Sequence, residues 1–489
     1  MKWNALALLV LLFIGLVSGP SFDSVNDLLI GSKDMVVGYF DWLFVGVASA
    51  TLALVVLIGL SPQASLRLGP DDVAPEFSRF SWLAMLFSAG LASGLLYWAV
   101  AEPIIHYQSN PFIGGAGHSN ASQIALRVTV FHWGLHGWGM YILGGLAISI
   151  AAYRHGRPLT IRSALYPVLG DRWIDRWPGL VVDWLALMGT IFGVATSIGL
   201  SAAALNATLF SGFGLAVNTT TQIGIVFVVC TFGVVSAISG VGRGIRRLSE
   251  VNVWVSGLFL TSVLLLGPTS DLLELIWTTS VDYVWTVLPL GLWIGETGSE
   301  KAWQASWTVF YWGWWLAWMP FVSLFIARIS KGRTIREFVL AVLIVPTIVI
   351  IVWMAILGGT ALHQEEANLG AVSVAVNQDY SLGIVTVLEN LSGPNVGSVL
   401  ITIAAFLLFS WLITSLDSAT LVISHLVGAP DSKGHQALWG LILASVTAVL
   451  IAVGGVPALQ AASIIVGLPL AFITALIGVG IVKELYWNR

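Results

Sequence analysis

From end to end the chain is divided into apolar runs, each with at most one or two charged residues, long enough to cross a bilayer as helices. A crossing needs about 20 such residues, because the hydrocarbon core is about 30 Å thick and a helix rises about 1.5 Å per residue. Runs of this kind lie roughly at 1–19, 38–60, 79–101, 126–153, 180–211, 222–241, 250–267, 304–326, 338–358, 397–424, 436–455 and 459–482. Of the 489 residues 57% are apolar and only 9% charged, against about 25% charged in soluble domains. The solvent for this chain is lipid. An all-α integral membrane protein with twelve transmembrane helices is expected. The stretch 1–19 has the length of a signal peptide but no clear small-x-small cleavage site, so it reads as a retained span. The stretch 270–293 is apolar too, yet it carries Asp271, Glu274 and Asp282. It reads as an amphipathic helix on the surface rather than a thirteenth span.

Charge placement orients the spans. With the N-terminus in the cytoplasm, eighteen of the 21 Lys and Arg residues fall in inside loops, and only Lys33, Arg127 and Lys301 fall outside. Cytoplasmic loops carry such an excess, so both termini are expected inside. A net charge of −4 gives no sign of a nucleic-acid partner. The single cysteine, Cys230, excludes an internal disulfide and any cysteine metal cage.

Residues 307–321 read WTVFYWGWWLAWMPF. On a helix, Trp312, Trp315 and Trp318 share one face about 120° wide. A belt at the membrane interface needs its tryptophans at the span ends, whereas these run from the outer third to the middle of the eighth span. The fourth span carries FHWGLHGWGMY, residues 131–141. There Trp138 and Tyr141 share a face, and Trp133 lies about 80° from Tyr141. Two mid-membrane aromatic faces suit a quaternary ammonium group, which has no N–H to donate; each face contributes about 0.5–2 kcal/mol when dry.

The third span places Ser88, Ala89, Gly90, Ala92, Ser93 and Gly94 within seven residues. This is a small-residue packing face, or a helix that loosens at mid-membrane and frees backbone groups for ions and substrate. Glu102-Pro103 is expected to end that span. The tenth span holds LITSLDSAT, residues 412–420. Thr414 and Ser415 offer neutral hydroxyl oxygens to a hard monovalent cation, or hydrogen-bond within the bundle. Asp417 is a proton site or a structural partner. His132 and His136, at i and i+4, could face one metal with Glu102 or His106 as third ligand. A hydrogen-bonded pair accounts for them as well. No nucleophile–base or paired-carboxylate arrangement stands out, so an enzyme is not expected.

In four motifs the chain resembles the betaine/carnitine/choline transporter family. They are WTVFYWGWWLAWMPFVSLFIARISKGRTIREF (307–338), the glycine-rich third span ending in AEP, FHWGLHGW and TSLDSA. The resemblance covers nearly the whole chain. It implies a leucine-transporter-like fold, with two leading helices (1–78) and two inverted five-helix repeats made of spans 3–7 (79–267) and 8–12 (304–482). An amphipathic linker helix and outer loop (268–303) join the repeats, and a short cytoplasmic tail (483–489) follows. It also implies a homotrimer in the bacterial inner membrane, embedded in lipid, which imports a small cationic or zwitterionic solute such as glycine betaine, choline or carnitine. The aromatic box would be Trp133, Trp138, Tyr141 and Trp315. Trp314 and Trp318 would line the access route, and Gly90 would lie at the substrate. No cofactor is implied beyond sodium as the coupling ion. Its site would use backbone carbonyls of Ser88, Leu91 and Trp411 with the hydroxyls of Thr414 and Ser415. A second sodium would involve Thr190 and Phe321.

Departures from the family pattern bear on coupling. Proton-coupled members tend to carry acids in the glycine-rich stretch, and here Gly90-Leu91-Ala92-Ser93-Gly94 has none. Sodium-independent exchangers place an arginine in the fifth span, yet residues 177–242 contain neither Arg nor Lys. Both absences favour sodium over exchange or proton coupling. Val194 stands where sodium-dependent relatives often have Thr, which removes one ligand from the second sodium. Gly137 replaces a usual proline. Some relatives sense osmotic stress with long basic C-terminal tails. Here the sequence stops at Arg489, so weak or no osmotic activation is expected.

Overall fold

The computed structural model of the protein describes residues 21–90, 92–113, 120–239, 244–367, 370–391, 393–427 and 432–487. Among them every regular element is helical apart from one isolated bridge, Arg67 to Thr334. This follows from the solvent: in hydrocarbon a helix satisfies its own backbone, and an open strand edge cannot. Nine helical stretches among the described residues are long and apolar enough to cross a membrane. The expected first span, 1–19, lies outside the described residues. The third is described as two helices, Arg79–Gly90 and Ala92–Gln108, on either side of Leu91, which also lies outside. The eleventh and twelfth fall within one stretch, Lys433–Val482. Its 50 residues would run about 75 Å as a straight helix, more than twice the bilayer core. Gly455, at φ 60° and ψ −137° just ahead of Pro457, divides it. Only glycine enters that region of φ and ψ without strain.

Burial orders the bundle. The Gly298–Ile329 segment is its axis, its most apolar window being 100% buried, and Ala121–Tyr153 (89%) and Trp177–Phe213 (83%) flank it. Thr219–Ile238 (33%) and Arg247–Leu266 (28%) are peripheral and show their apolar side chains to the outside. The two aromatic clusters of the sequence therefore belong to the most enclosed helices.

Side chains tie two separate sets of loops. Arg67 Nη1 donates to Gly332 O (2.6 Å) and Arg154 Nη1 to Arg67 O (3.1 Å). Arg333 stacks 3.9 Å from the ring centre of Trp82, and Lys483 Nζ donates to Pro167 O (2.8 Å). In the other set Arg127 pairs with Asp282 (3.4 Å), and Ser122 and Ser211 donate to Glu366 and Glu389 (2.5 Å each). The first set gathers loops expected inside, and the second gathers loops expected outside.

One expectation is corrected. The helix does not end at Glu102-Pro103 but runs through both to Gln108, and Glu102 is wholly buried. The Thr269–Leu292 helix buries one face and exposes the other, Asp271 and Glu274 being among the exposed residues. It turns Tyr283 and Leu290 inward, while Leu273, Trp277, Val284, Trp285, Leu288 and Leu292 are exposed. An apolar outer face of that extent suits lipid or another protein surface rather than water.

Candidate functional site

The fourth span is broken in its middle. The Ala121–Trp133 helix ends at Gly134 (φ −90°, ψ −135°), and the Leu135–Tyr153 helix starts directly after it. A break frees backbone groups that must find other partners. Leu135 N–H donates to the Tyr283 hydroxyl (2.8 Å), and the His132 carbonyl accepts from Trp315 Nε1–H (3.0 Å). A Cβ on residue 134 would stand 2.5 Å from that Tyr283 oxygen, so the close approach requires glycine. The linker helix thus caps one side of the break, and an indole of the eighth span caps the other.

Around this point four rings meet. Trp315 contacts Tyr141 at 4.9 Å between centroids, Trp138 at 5.9 Å and Trp133 at 6.3 Å, and Trp138 contacts Tyr141 at 5.6 Å. All four are at most 5% exposed. The floor under Trp315 is Gly137, where a Cβ would lie 2.3 Å from the indole carbons Cδ2 and Cε2. Trp314 joins through Trp133 at 5.8 Å and stacks on Phe310 at 5.6 Å. Gly94 of the third span comes up against Trp133 and Trp314. The indole N–H groups of Trp138 and Trp314 are buried and have no acceptor among the described residues.

Sharing a helix face did not place all of the tryptophans in one group. Trp312 stacks on His136 (5.3 Å) and meets Phe131 (5.3 Å). Trp318 donates to Gly193 O (2.7 Å) and touches Phe321 (5.3 Å). Thr190, one turn before Gly193, spends its hydroxyl on Ala186 O (2.8 Å).

On the tenth span Thr414 and Ser415 are buried, and Thr414 Oγ1 donates to Trp411 O (2.8 Å). Their helix, Pro394–Leu426, packs against Arg79–Gly90. Leu91 and the side chains of 87–93, Ser88 and Gly90 included, lie outside the described residues. Asp417 Oδ2 accepts from Ser236 Oγ (2.6 Å).

A polar cluster adjoins the rings; it joins His132 to Glu102 and His106, as the sequence suggested, but leaves His136 out and adds Trp133 and Tyr311. Glu102 Oε1 lies 2.7 Å from His132 Nδ1 and 3.3 Å from His106 Nε2, and Oε2 accepts from Trp133 Nε1–H (2.9 Å) and from the Tyr311 hydroxyl. His132 Nε2 is 3.1 Å from Thr308 Oγ1, held on the wide turn Ala305–Val309. Such turns recur at functional sites. One ligand atom from each of Glu102, His106 and His132 falls within 4.8 Å of the others, but four neighbours already engage the carboxylate. His132 and His136 do not face a common point. The break at Gly134 separates them, and His136 Nε2 turns toward Ser49 Oγ (3.4 Å).

Comparison with known proteins identifies a family. The family model described as BCCT, betaine/carnitine/choline family transporter, matches residues 3–489. Glycine betaine transporter 1 of Vibrio parahaemolyticus is 39% identical over 453 residues, covering 91% of this chain and 85% of that protein. An osmo-dependent choline transporter of Acinetobacter baylyi is 37% identical over 486 residues, covering 98% of this chain and 70% of its own. Among solved structures, a Na+-coupled sialic acid symporter in a substrate-bound outward-open state aligns with 91% of this chain and 86% of its own. The TM-score is 0.46 and the identity 15%.

Proposed function

This chain belongs to the betaine/carnitine/choline transporter family, and from that premise we propose that it imports a quaternary ammonium solute such as glycine betaine by sodium symport. It is a transporter and not an enzyme. The observation that carries the substrate reading is the buried contact of Trp133, Trp138, Tyr141 and Trp315 at the centre of the bundle. Those rings would enclose the onium head, each contributing about 0.5–2 kcal/mol. The N–H groups of Trp138 and Trp314, buried without acceptors, would meet the substrate's anionic or hydroxyl end. Trp318 would line the route to the box, and the Gly90 backbone would border it.

Coupling would use one sodium between the third and tenth spans, on carbonyls of Ser88, Leu91 and Trp411 and the hydroxyls of Thr414 and Ser415. Thr190 and Phe321 would mark a second ion position. A zwitterion moves no net charge, so each sodium adds about 2.3 kcal/mol per 100 mV, enough for roughly 50-fold accumulation. We place twelve spans in the bacterial inner membrane, with both termini cytoplasmic, two inverted repeats working by alternating access, and three chains per assembly. The absence of Arg and Lys from 177–242 supports sodium over exchange.

The test of the box is Trp315→Leu. Purified wild-type protein titrated with glycine betaine should change its tryptophan fluorescence saturably, and the variant should not respond while eluting at the same size. Unchanged affinity in the variant would refute the assignment. Uptake into vesicles with sodium replaced by potassium at fixed pH reads the coupling ion, and undiminished uptake would remove sodium.

A further inference from the structure

Glu102 is a carboxylate buried at mid-bundle with no Lys or Arg against it among the described residues. Its neighbours are the two imidazoles of His106 and His132, the Trp133 indole and the Tyr311 hydroxyl. An unbalanced buried charge is expensive, so a second charge should compensate it. Two sources of positive charge are at hand. One is the cationic head in the aromatic box, a single indole away, because Trp133 both faces Trp315 and donates to Glu102. The other is a proton. With Nε2–H of His106 directed at Glu102 Oε1, Nδ1 of the same ring is buried and has no partner among the described residues, and it can take a proton.

We infer that Glu102, His106 and His132 form a proton-binding site that the substrate's cationic head empties. With the box vacant, His106 holds the extra proton on Nδ1 and the cluster is neutral. When the onium head enters, it replaces the proton as partner of the Glu102 charge, and the proton leaves to solvent. Proton and cation thus oppose each other, and the effect must be reciprocal. Two unit charges about 8 Å apart at an effective dielectric of about 20 alter an affinity tenfold or more.

Other titratable groups nearby are already engaged. On the helices packed against Ala92–Gln108, Glu365 accepts from Val372 and Ser373, Glu366 from Ser122, and Glu389 from Ser211. Asp183 pairs with Arg162, Arg127 with Asp282, and Asp417 accepts from Ser236. His363 lies near Asp271, Arg79 and Arg333 pair with Glu337, and Arg336 donates to Gly59 and Ser61 carbonyls. Asp379 accepts from Ser381, and Tyr97 rests against Trp98 and Tyr380. His136, past the break, faces Ser49 and Trp312.

This inference rests on the aromatic-box reading, and the experiment separates the two. Full-length purified protein is titrated calorimetrically with choline between pH 5.5 and 8, in phosphate and in Tris, whose ionisation heats differ. Release of a substantial fraction of a proton per choline, with affinity rising about tenfold toward high pH, is the expected result. Glu102→Gln and His106→Gln should each abolish the release and flatten the pH profile. Should Glu102→Gln fail to fold, the wild-type series and His106→Gln decide alone. Binding with equal heats in both buffers and a flat profile overturns the proton site and leaves the box standing. No binding of choline or glycine betaine to the wild type overturns both.

Discussion

Replacing Gly137 by alanine is the smallest change that should damage the box. A Cβ built there falls 2.3 Å from Trp315 Cδ2 and Cε2 and 2.6 Å from Cε3, well inside the roughly 3.5–4.0 Å at which carbon atoms rest. An indole is rigid, so the ring must shift by about 1 Å or more as a body. Its N–H is fixed to the His132 carbonyl at 3.0 Å, and its faces are held by Tyr141, Trp138 and Trp133. Overpacking costs about 1–3 kcal/mol, and the strained hydrogen bond adds about 0.5–1.5 kcal/mol. Helix propensity acts the other way, since alanine is better than glycine by about 1 kcal/mol. A fall in stability could therefore come only from the clash. Displacing one aromatic face should weaken onium binding by about 0.5–2 kcal/mol, which is up to roughly thirtyfold. Gly139→Ala, where the nearest atom to the added carbon is a Leu52 backbone carbon at 3.3 Å, serves as the control on the same helix. Thermal unfolding in detergent and fluorescence titration with glycine betaine would be measured for both. If Gly137→Ala binds and melts as Gly139→Ala does, Trp315 is not seated as described, and the box loses its fourth wall.

Other consequences are more local. Tyr283→Phe leaves the Leu135 N–H at the break uncapped and should cost about 1–3 kcal/mol, read as a lower melting temperature. Thr414→Ala and Ser415→Ala should raise the sodium concentration needed for half-maximal uptake, while binding of substrate at saturating sodium changes little. Arg333→Lys should destabilise by about 1–3 kcal/mol. Arg333 stacks on Trp82 while bonding Glu337 (2.8 Å) and the Phe77 carbonyl (2.9 Å), and an ammonium cannot do all three at once.

The helices were legible because lipid imposes one rule on every apolar run, and among the described residues the expected runs fall in helix, the third on either side of Leu91 and the fourth on either side of Gly134. Gly455 falls where the eleventh run was expected to end. Phase within a helix also carried far: the spacing of Trp138 and Tyr141 predicted a shared face, and both meet Trp315. Trp312 and Trp315 likewise turn to one neighbour, the fourth span, Trp312 meeting Phe131 and His136 and Trp315 meeting Trp138 and Tyr141. Trp318, counted on the same face, instead reaches Gly193 O of the fifth span, because a face about 120° wide can touch more than one helix.

The break at Gly134 shows what sequence alone withholds here. Residues 131–141 contain three glycines, at 134, 137 and 139, and intrinsic propensity gives no ground for choosing among them. The choice is made by the Tyr283 hydroxyl, about 150 residues away, which occupies the space of a Cβ at 134 and takes the freed Leu135 N–H. Once the helix is cut there, the i, i+4 relation of His132 and His136 no longer holds. His132 is left on the half that faces Glu102, and His136 on the half that faces Ser49. Glu102 itself looked like a polar span end because proline follows it. A proline is tolerated here in a continuing helix, and the acid was carried inward with it. One tertiary contact thus separates what would have been a histidine pair. It also gives His132 to the carboxylate and frees the carbonyl that positions Trp315, so the polar cluster and the aromatic box share a single structural cause.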